Sequence, residues 1–432
     1  MLNFINKTTS GRRTLEDRRF RAQESKKCEM PAEGERGPKR TVRLMRHEDI
    51  DKCLQIWSKV GLSEGRQTVA SVLSADPNGF YVAELEHSGE VVGMCAATMT
   101  RADTAFVGFY AVEPAHQRIG IGRELWSKTL ERLGPEINLG LYGVPSMSEK
   151  YKASGFIMED SIRMLIFDSL PGGVDRAGID SLKDVDQLVG QCRLELIDGQ
   201  TSESLLRKLI EYDSSVQQFS RESLLRLYLA GDDVPLTVAV VRDHGKGKSF
   251  AHHASQTLGE RKSSCCAKPS QESIREDDEA LSTRAQLIDS TDALGPMSCA
   301  TDSRMNESPT LTSTTNSSPN LDSRADPNET CEVLGYGCVR HDNNSGGMVG
   351  PIYADSGDLC EVILRNLLTR FELGPKSIYS VMALSSNEHA GKILTKIGLK
   401  EVEQCTRMFT KFVPAASMSK IYFVHSPNFT LF

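Results

Sequence analysis

The chain has 432 residues, length enough for about three domains. Its 58 acidic residues outnumber 51 basic ones, for a net charge of −7, which rules against a general nucleic-acid binder. No apolar run approaches the roughly 20 residues of a membrane span, and eleven cysteines show neither a CxxC pair nor a regular spacing, so no metal, no membrane and a reduced, intracellular, cytoplasmic setting are expected.

Residues 1–40 are polar and charged, with Arg12, Arg13, Arg18, Arg19 and Arg21 among acids, and are read as a disordered tail. A mitochondrial presequence over the first dozen residues is the other reading, and Glu16 and Asp17 stand against it. A first folded domain spans 41–168. Thr41 to Met45 alternates as a strand. A helix from His47 to Lys59 carries Ile50, Cys53, Leu54 and Trp57 on one face. Phe80–Leu85 and Val91–Ala97 form a hairpin around Ser88-Gly89-Glu90. Ala105–Val112 is a buried strand. A loop with Pro114, Gly120 and Gly122 follows, then a helix over Arg123–Leu133 with Leu125, Trp126, Leu130 and Leu133 at helical spacing. A strand at Leu139, a helix at Ser146 and a strand near Arg163–Phe167 complete the domain.

Residues 169–190 read as a linker. A second domain over 191–414 has helices at Glu203–Glu211 and Ser220–Leu229, then strands at Leu236–Arg242 and Val333–Arg340. The stretch 243–329 between these strands is rich in Ser, Thr, Asn and Asp and is read as a disordered insert. Met348–Tyr353 contains Gly350 and Pro351, which predict an edge strand or a strand end. A helix over Gly357–Arg370, a strand over Ser377–Leu384 and a helix after Asn387 follow. Residues 415–432 are set apart as a C-terminal tail.

The loop Gln117-Arg118-Ile119-Gly120-Ile121-Gly122 joins a strand to a helix. Free amides and the positive end of the dipole favour an anion there. Two glycines let the backbone come close to it, and Arg118 and Arg123 add charge. A P-loop would need Lys-Ser/Thr, which is absent. A dinucleotide fingerprint would need a third glycine, where Leu125 stands. The loop, with Val112-Glu113-Pro114 before it, resembles the acyl-CoA loop Q/R-x-x-G-x-G/A of the GNAT superfamily of N-acetyltransferases. Tyr151-Lys152-Ala153-Ser154-Gly155-Phe156 resembles that family's Y-x-x-x-G-F ending, although Val144 stands where the family often has Asn. In the second domain Asn387 to Leu399 resembles the same helix, with Leu394 at the tyrosine position. There Ala354-Asp355-Ser356-Gly357-Asp358 puts two acids where the first domain has Gln and Arg.

The resemblance implies an α/β (α+β) chain of two GNAT-like domains, each a mixed, mostly antiparallel sheet flanked by helices, the second a degenerate copy that binds coenzyme A poorly or not at all. It implies acetyl transfer from acetyl-CoA to a primary amine of a small molecule or a protein. Gln117, Arg118, Ile119, Gly120, Ile121, Gly122 and Arg123 would hold the diphosphate. Tyr110 and Val112 would hold the pantetheine through backbone bonds, with a backbone N–H near Val112 polarising the thioester oxygen. Tyr151, protonated at neutral pH, would return a proton to the departing thiolate. Glu113 is a candidate base and equally a solvated turn residue; His116 reads as a surface residue. Asp213, Arg221 and Arg340 receive no role. A non-catalytic acyl-CoA sensor and an interaction scaffold remain alternative readings.

Overall fold

A computed structural model describes residues 38–230, 235–243 and 330–430. The tail and the insert read from the sequence lie outside this range, apart from residues 38–40 and 243. The first half runs β1 Arg40–Leu44, α1 Ile50–Lys59, α2 Arg66–Ala75, β2 Phe80–Leu85, β3 Val91–Arg101, β4 Thr104–Val112, α3 Ile121–Glu131, β5 Asn138–Gly143, α4 Ser148–Ala153 and β6 Met158–Asp168. A short α5, Arg176–Asp180, lies in the connection. The second half repeats the order: β7 Cys192–Ile197, α6 Glu203–Gln217, α7 Glu222–Tyr228, β8 Leu236–Asp243, β9 Cys331–His341, β10 Gly347–Ala354, α8 Gly357–Arg370, β11 Tyr379–Leu384, α9 Glu388–Lys396 and β12 Lys400–Phe409. A last strand, β13 Ile421–Phe423, has no counterpart among the described residues of the first half.

The sequence reading has no helix at α2. Its stretch RQTVASVLSA holds β-branched residues and two serines, weak helix formers. Burial of Val69, Val72 and Leu73 supplies what propensity does not. With α1 it covers one face of β2–β4, where Trp57, Val69, Phe80 and Phe109 share a core. The other face carries α3, whose Ile121 and Leu125 pack on Val92 and Cys95. Because both faces are covered, β3 is buried without alternation from Val91 to Thr98. The second half is layered likewise, with Leu205 and Leu209 of α6 on one face and Ile363 and Leu394 of α8 and α9 on the other.

All strands of the described residues form one sheet of thirteen, ordered β1-β2-β3-β4-β5-β12-β6-β11-β13-β10-β9-β8-β7. With β13 set aside, the order of equivalent strands reads the same from either end. The halves join by exchange. β12 lies between β5 and β6, pairing Arg407 with Tyr142 and Cys405 with Met164. β6 lies against β11, pairing Val381 with Phe167. Each half therefore lends its last strand to the fifth strand of the other. Across the exchanged pair Arg407 Nη1 donates to Asp160 Oδ2 at 2.6 Å, both side chains buried.

In each half the fourth and fifth strands are parallel neighbours for three residues and then part. β4 and β5 pair over Thr104–Phe106 and Asn138–Gly140; β10 and β11 pair over Gly347–Val349 and Tyr379–Val381. Beside each opening the fourth strand bulges. Phe109 has φ +48° where the β3 register shifts, and Gly350 has φ +144° where the β9 register shifts. This corrects the edge-strand reading of Met348–Tyr353. β10 is interior, with β9 on one side and β11 and β13 on the other, and Pro351 sits in the bulge, where no ladder bond is lost.

Candidate active site

The opening in the first half is built as follows. β4 ends at Val112. Glu113 N–H donates to Val92 O on β3, so by alternation along the strand the Val112 N–H points to the opposite side, toward the opening. A short turn over Pro114–His116 follows, and Gln117 Nε2 donates back to Val112 O at 2.9 Å, which ties the loop to the strand end. Arg118 and Gly120 both have positive φ, +67° and +91°, which curls the loop before α3 begins at Ile121. Ile121 is buried and anchors the helix; Arg118, Ile119, Gly120 and Arg123 face solvent. A Cβ on Gly122 would collide with the Tyr110 hydroxyl, so glycine is what lets α3 start this close to β4. A third cation, missed in the sequence, joins them. Arg40 lies 3.4 Å from the Cβ position of Gly120 and bonds Glu124 Oε2 at 2.8 Å.

The wall of the opening is aromatic. Tyr110 meets Trp126 edge to face at 5.7 Å, Trp126 meets Tyr151 at 6.3 Å, and Tyr151 meets Phe156 at 6.5 Å. Gly143 of β5 admits the Tyr151 ring, which comes within 3.1 Å of its Cβ position. The fold thus brings Tyr110, Val112, the 117–122 loop, Arg123 and Tyr151 to one side of the sheet. Trp126 belongs with them; the sequence reading placed it only as a helix-face apolar residue. Burial raises the Tyr151 pKa above its ordinary value, with smaller contributions from Cys405 and Cys95, so its phenol holds its proton at neutral pH. Tyr110 is pushed up to about 12, again mainly by burial. Glu113, the candidate base, is engaged by Lys59 and stands 3.9 Å from Lys52. His116 is part-buried, and its Nδ1 has no partner among the described residues.

The second opening is closed by its own chain. β13 enters it, pairing Ile352 with Phe423 on β10 and Ala383 with Phe423 on β11. Val424 N–H donates to Met382 O at 2.9 Å. Asn387 caps α9 at the Ala390 N–H and donates from Nδ2 to Ile421 O at 3.1 Å, so it holds β13. The Tyr422 hydroxyl lies 3.8 Å from the Cβ position of Gly357, at the start of α8. Asp355 and Asp358 pair with Lys420 and Lys183 at 2.9 and 2.7 Å. Leu394 is fully buried in the core.

Beyond β13 the chain crosses to the first half. Ser426 Oγ and Asn428 Nδ2 donate to Glu64 Oε2 at 2.5 and 2.9 Å, and Arg340 Nη2 meets Glu64 Oε1 at 3.0 Å. Phe429 enters the core beside Phe80 and Phe109. Asp213 and Arg221 form a second buried pair, bonded at 2.9 and 2.7 Å. Among the described residues no group of three His, Cys, Asp or Glu gathers to hold a metal, and no helix is long and apolar enough to cross a membrane.

Both halves part their fourth and fifth strands, and the first half carries a glycine loop at the head of the helix that follows. Residues 44–141 match the profile of the Acetyltransferase (GNAT) family and residues 322–423 that of the Acetyltransferase (GNAT) domain. The chain carries two GNAT domains in tandem, the second a degenerate copy. A candidate acetyltransferase from Pyrococcus horikoshii shares the fold over 94% of this chain and 99% of its own, at 14% identity and a TM-score of 0.53. A tandem GNAT protein from the clavulanic acid biosynthesis pathway is 11% identical, covering 87% of this chain and 100% of its own, with a TM-score of 0.48. An uncharacterized Caenorhabditis elegans protein is 28% identical over 145 residues, 33% of this chain and 42% of that protein. The match thus spans about two fifths of that relative's length.

Proposed function

We propose that the chain is an acetyl-CoA-dependent N-acetyltransferase whose cofactor binds in the first half and whose acceptor is a primary amine. One observation carries the reading: the first opening keeps its mouth of free helix-start amides, its two glycines and its tyrosine wall, whereas the second is filled by β13. The residues fit the group. The amides of Ile121, Gly122 and Arg123 have no partner within the helix and would meet the diphosphate, with Arg118, Arg123 and Arg40 around them. Tyr110 and Val112 would hold the pantetheine along β4.

Acetyl-CoA supplies the activated acetyl group. The Val112 N–H is a donor fixed in direction by β4, suited to a developing negative oxygen. Burial keeps the Tyr151 phenol protonated at neutral pH, so it is present in the form that can give a proton to a departing thiolate and not as a base. A non-catalytic acyl-CoA sensor is the second reading. What favours it is the pairing of Glu113 with Lys59, which occupies the acid nearest the end of β4.

Calorimetry with acetyl-CoA tests the binding half of the proposal. Gly120→Glu puts a carboxylate and a strained φ at the diphosphate loop and should abolish the heat without unfolding the chain; retained affinity sinks the loop assignment. Free-thiol release with an amine panel tests the catalytic half. Tyr151→Phe should lower kcat about a hundredfold with acetyl-CoA affinity kept, in the range of a lost general acid. No release from the wild type with any amine would leave the sensor.

A further inference from the structure

On the sheet face that carries α1, α2, α6 and α7, a cavity of about 380 Å³ opens between the two halves. Its wall takes Asp76 from the end of α2, Thr98 from β3, Arg221 from the α6–α7 turn, Leu224 from α7, and Phe429 from the C-terminal segment. Most polar groups on that wall are already committed. Asp76 Oδ2 accepts from the Met99 N–H at 2.9 Å and from Arg132 at 2.5 Å. Glu222 pairs with Arg226 at 2.8 Å, and Gln217 Nε2 donates to the Tyr353 hydroxyl at 2.6 Å.

Two groups are left over. Thr98 is 2% exposed, and its hydroxyl has no partner among the described residues. The Arg221 side chain is 6% exposed; its Nε and Nη2 hold Asp213, Nη2 also reaches the Tyr353 hydroxyl at 3.2 Å, and Nη1 makes none of these bonds. Buried polar groups are ordinarily paired, so the unpartnered Thr98 hydroxyl, with Arg221 Nη1 on the same cavity wall, marks a place for a ligand oxygen. The cavity also leads to the first domain's fourth strand. Its Phe429 wall continues into Asn428, whose carbonyl packs on Gly108 so closely that a Cβ there would collide with it. Gly108 precedes the bulge at Phe109, beside the cofactor opening.

We infer that this cavity is the acceptor pocket, and that it takes a small primary amine bearing an uncharged carbonyl group, an amino-acid amide or the end of a peptide. The inference rests on reading the first half as an acetyltransferase. The carbonyl oxygen accepts from Arg221 Nη1 and the Thr98 hydroxyl. Charge selects the amide over the acid. Arg221 is balanced by Asp213, Asp76 by Arg132 and Glu222 by Arg226; with the amine in its reactive, unprotonated form the amide is neutral, whereas the acid brings one uncompensated negative charge into a half-enclosed site. Val72, Met99, Leu224 and Phe429 leave apolar room for the acceptor's side chain. The volume sits at the small end of the roughly 300–1,000 Å³ of ligand pockets and suits one or two residues. In the transfer, the amine nitrogen bonds the acyl carbon, the carbon–sulfur bond breaks, the amine gives up a proton, and the thiolate takes one.

The test is calorimetry on the full chain, without acetyl-CoA, against a panel of amino-acid amides and the matching free amino acids. At least one amide should bind, its free acid about tenfold more weakly, a difference of about 1.4 kcal/mol. Ala75→Trp, at the exposed rim of the cavity, should cost that amide at least about tenfold in affinity and leave acetyl-CoA binding unchanged. Thr98→Val, which keeps volume and removes the hydroxyl, should weaken the same amide. The pocket assignment is overturned if no amide binds, if the acids bind as well, or if both variants bind like the wild type. Amide binding without acetyl-CoA binding would instead keep the pocket and discard the acetyltransferase reading.

Discussion

Replacing Phe429 by alanine probes whether the C-terminal segment is part of the first half's core or merely lies on it. Phe429 is 1% exposed, with its ring centroid 5.6 Å from Phe80 and 5.3 Å from Phe109. Full removal of a buried phenylalanine side chain costs about 3–5 kcal/mol. Here one side of the ring also lines the 380 Å³ cavity, so water can reach the space it leaves and the cost should fall near the low end, about 3 kcal/mol. Trp57, one of only two tryptophans, lies 4.8 Å from Phe109 in the same cluster and reports on it. Urea unfolding followed by tryptophan fluorescence should show the lower midpoint and a shifted Trp57 emission. Leu227→Ala, at an exposed position, should stay within about 0.5 kcal/mol. A loss below about 1 kcal/mol for Phe429→Ala, or an unchanged emission, would refute the docking of this segment.

Other outcomes follow from the same packing. Asp160→Asn removes the carboxylate from Arg407 between the exchanged strands and should cost about 3–5 kcal/mol by urea unfolding, with loss of one cooperative transition for both halves; a cost near zero would contradict the exchange. His425 is buried against Tyr228, and burial holds its pKa well below the ordinary value. The unfolded chain therefore binds a proton below about pH 6.5 that the folded chain refuses, so this group's contribution to stability falls with pH from there, by up to about 1.4 kcal/mol per unit. Burial raises Asp168 and Glu403, which act with the opposite sign, so the effect is read as the difference between wild type and His425→Gln across pH 7 to 5; identical slopes would dismiss it. Gly122→Val should drive Tyr110 away from α3 and cut acetyl-CoA affinity at least tenfold by calorimetry, and wild-type affinity would mean that this contact is not needed. Acetyl-CoA should bind with a stoichiometry of one per chain; two sites would show that β13 does not close the second opening.

Local chemistry was legible and long-range pairing was not. The strand, glycine loop and helix around Gln117–Gly122 could be read because turn residues and helical spacing act over a few positions. So could most of the strand and helix order of both halves, α2, β7 and β12 excepted. The exchange of β6 and β12 could not, because Glu159–Met408 and Ser380–Asp168 pairings depend on register between segments more than two hundred residues apart. The run Ile421-Tyr422-Phe423-Val424 did carry a strand signal, four apolar, branched or aromatic residues in a row, and a reading that gave it weight would have found β13. Trp126 and Arg40 reached the site through tertiary contact alone.

The two openings show one physical requirement met in two ways. When parallel strands part, their main-chain groups lose partners, and buried groups of that kind must be paired with something. In the second half the chain pairs them itself: Val424 with Met382, Phe423 with Ile352 and Ala383, and Asn387 with Ile421. Once a strand fills the space, a glycine loop and free amides at the head of α8 have nothing to bind. Acids there are then tolerated, and Asp355 and Asp358 are indeed paired to lysines, one of them Lys420 at the start of the plug. The first half has no such strand among its described residues, and it keeps glycines and arginines where the second has acids. The absence of a plug and the presence of an anion loop thus vary together between two copies of one fold, which is the pattern expected if the first opening is reserved for a ligand that brings its own phosphate and its own hydrogen bonds.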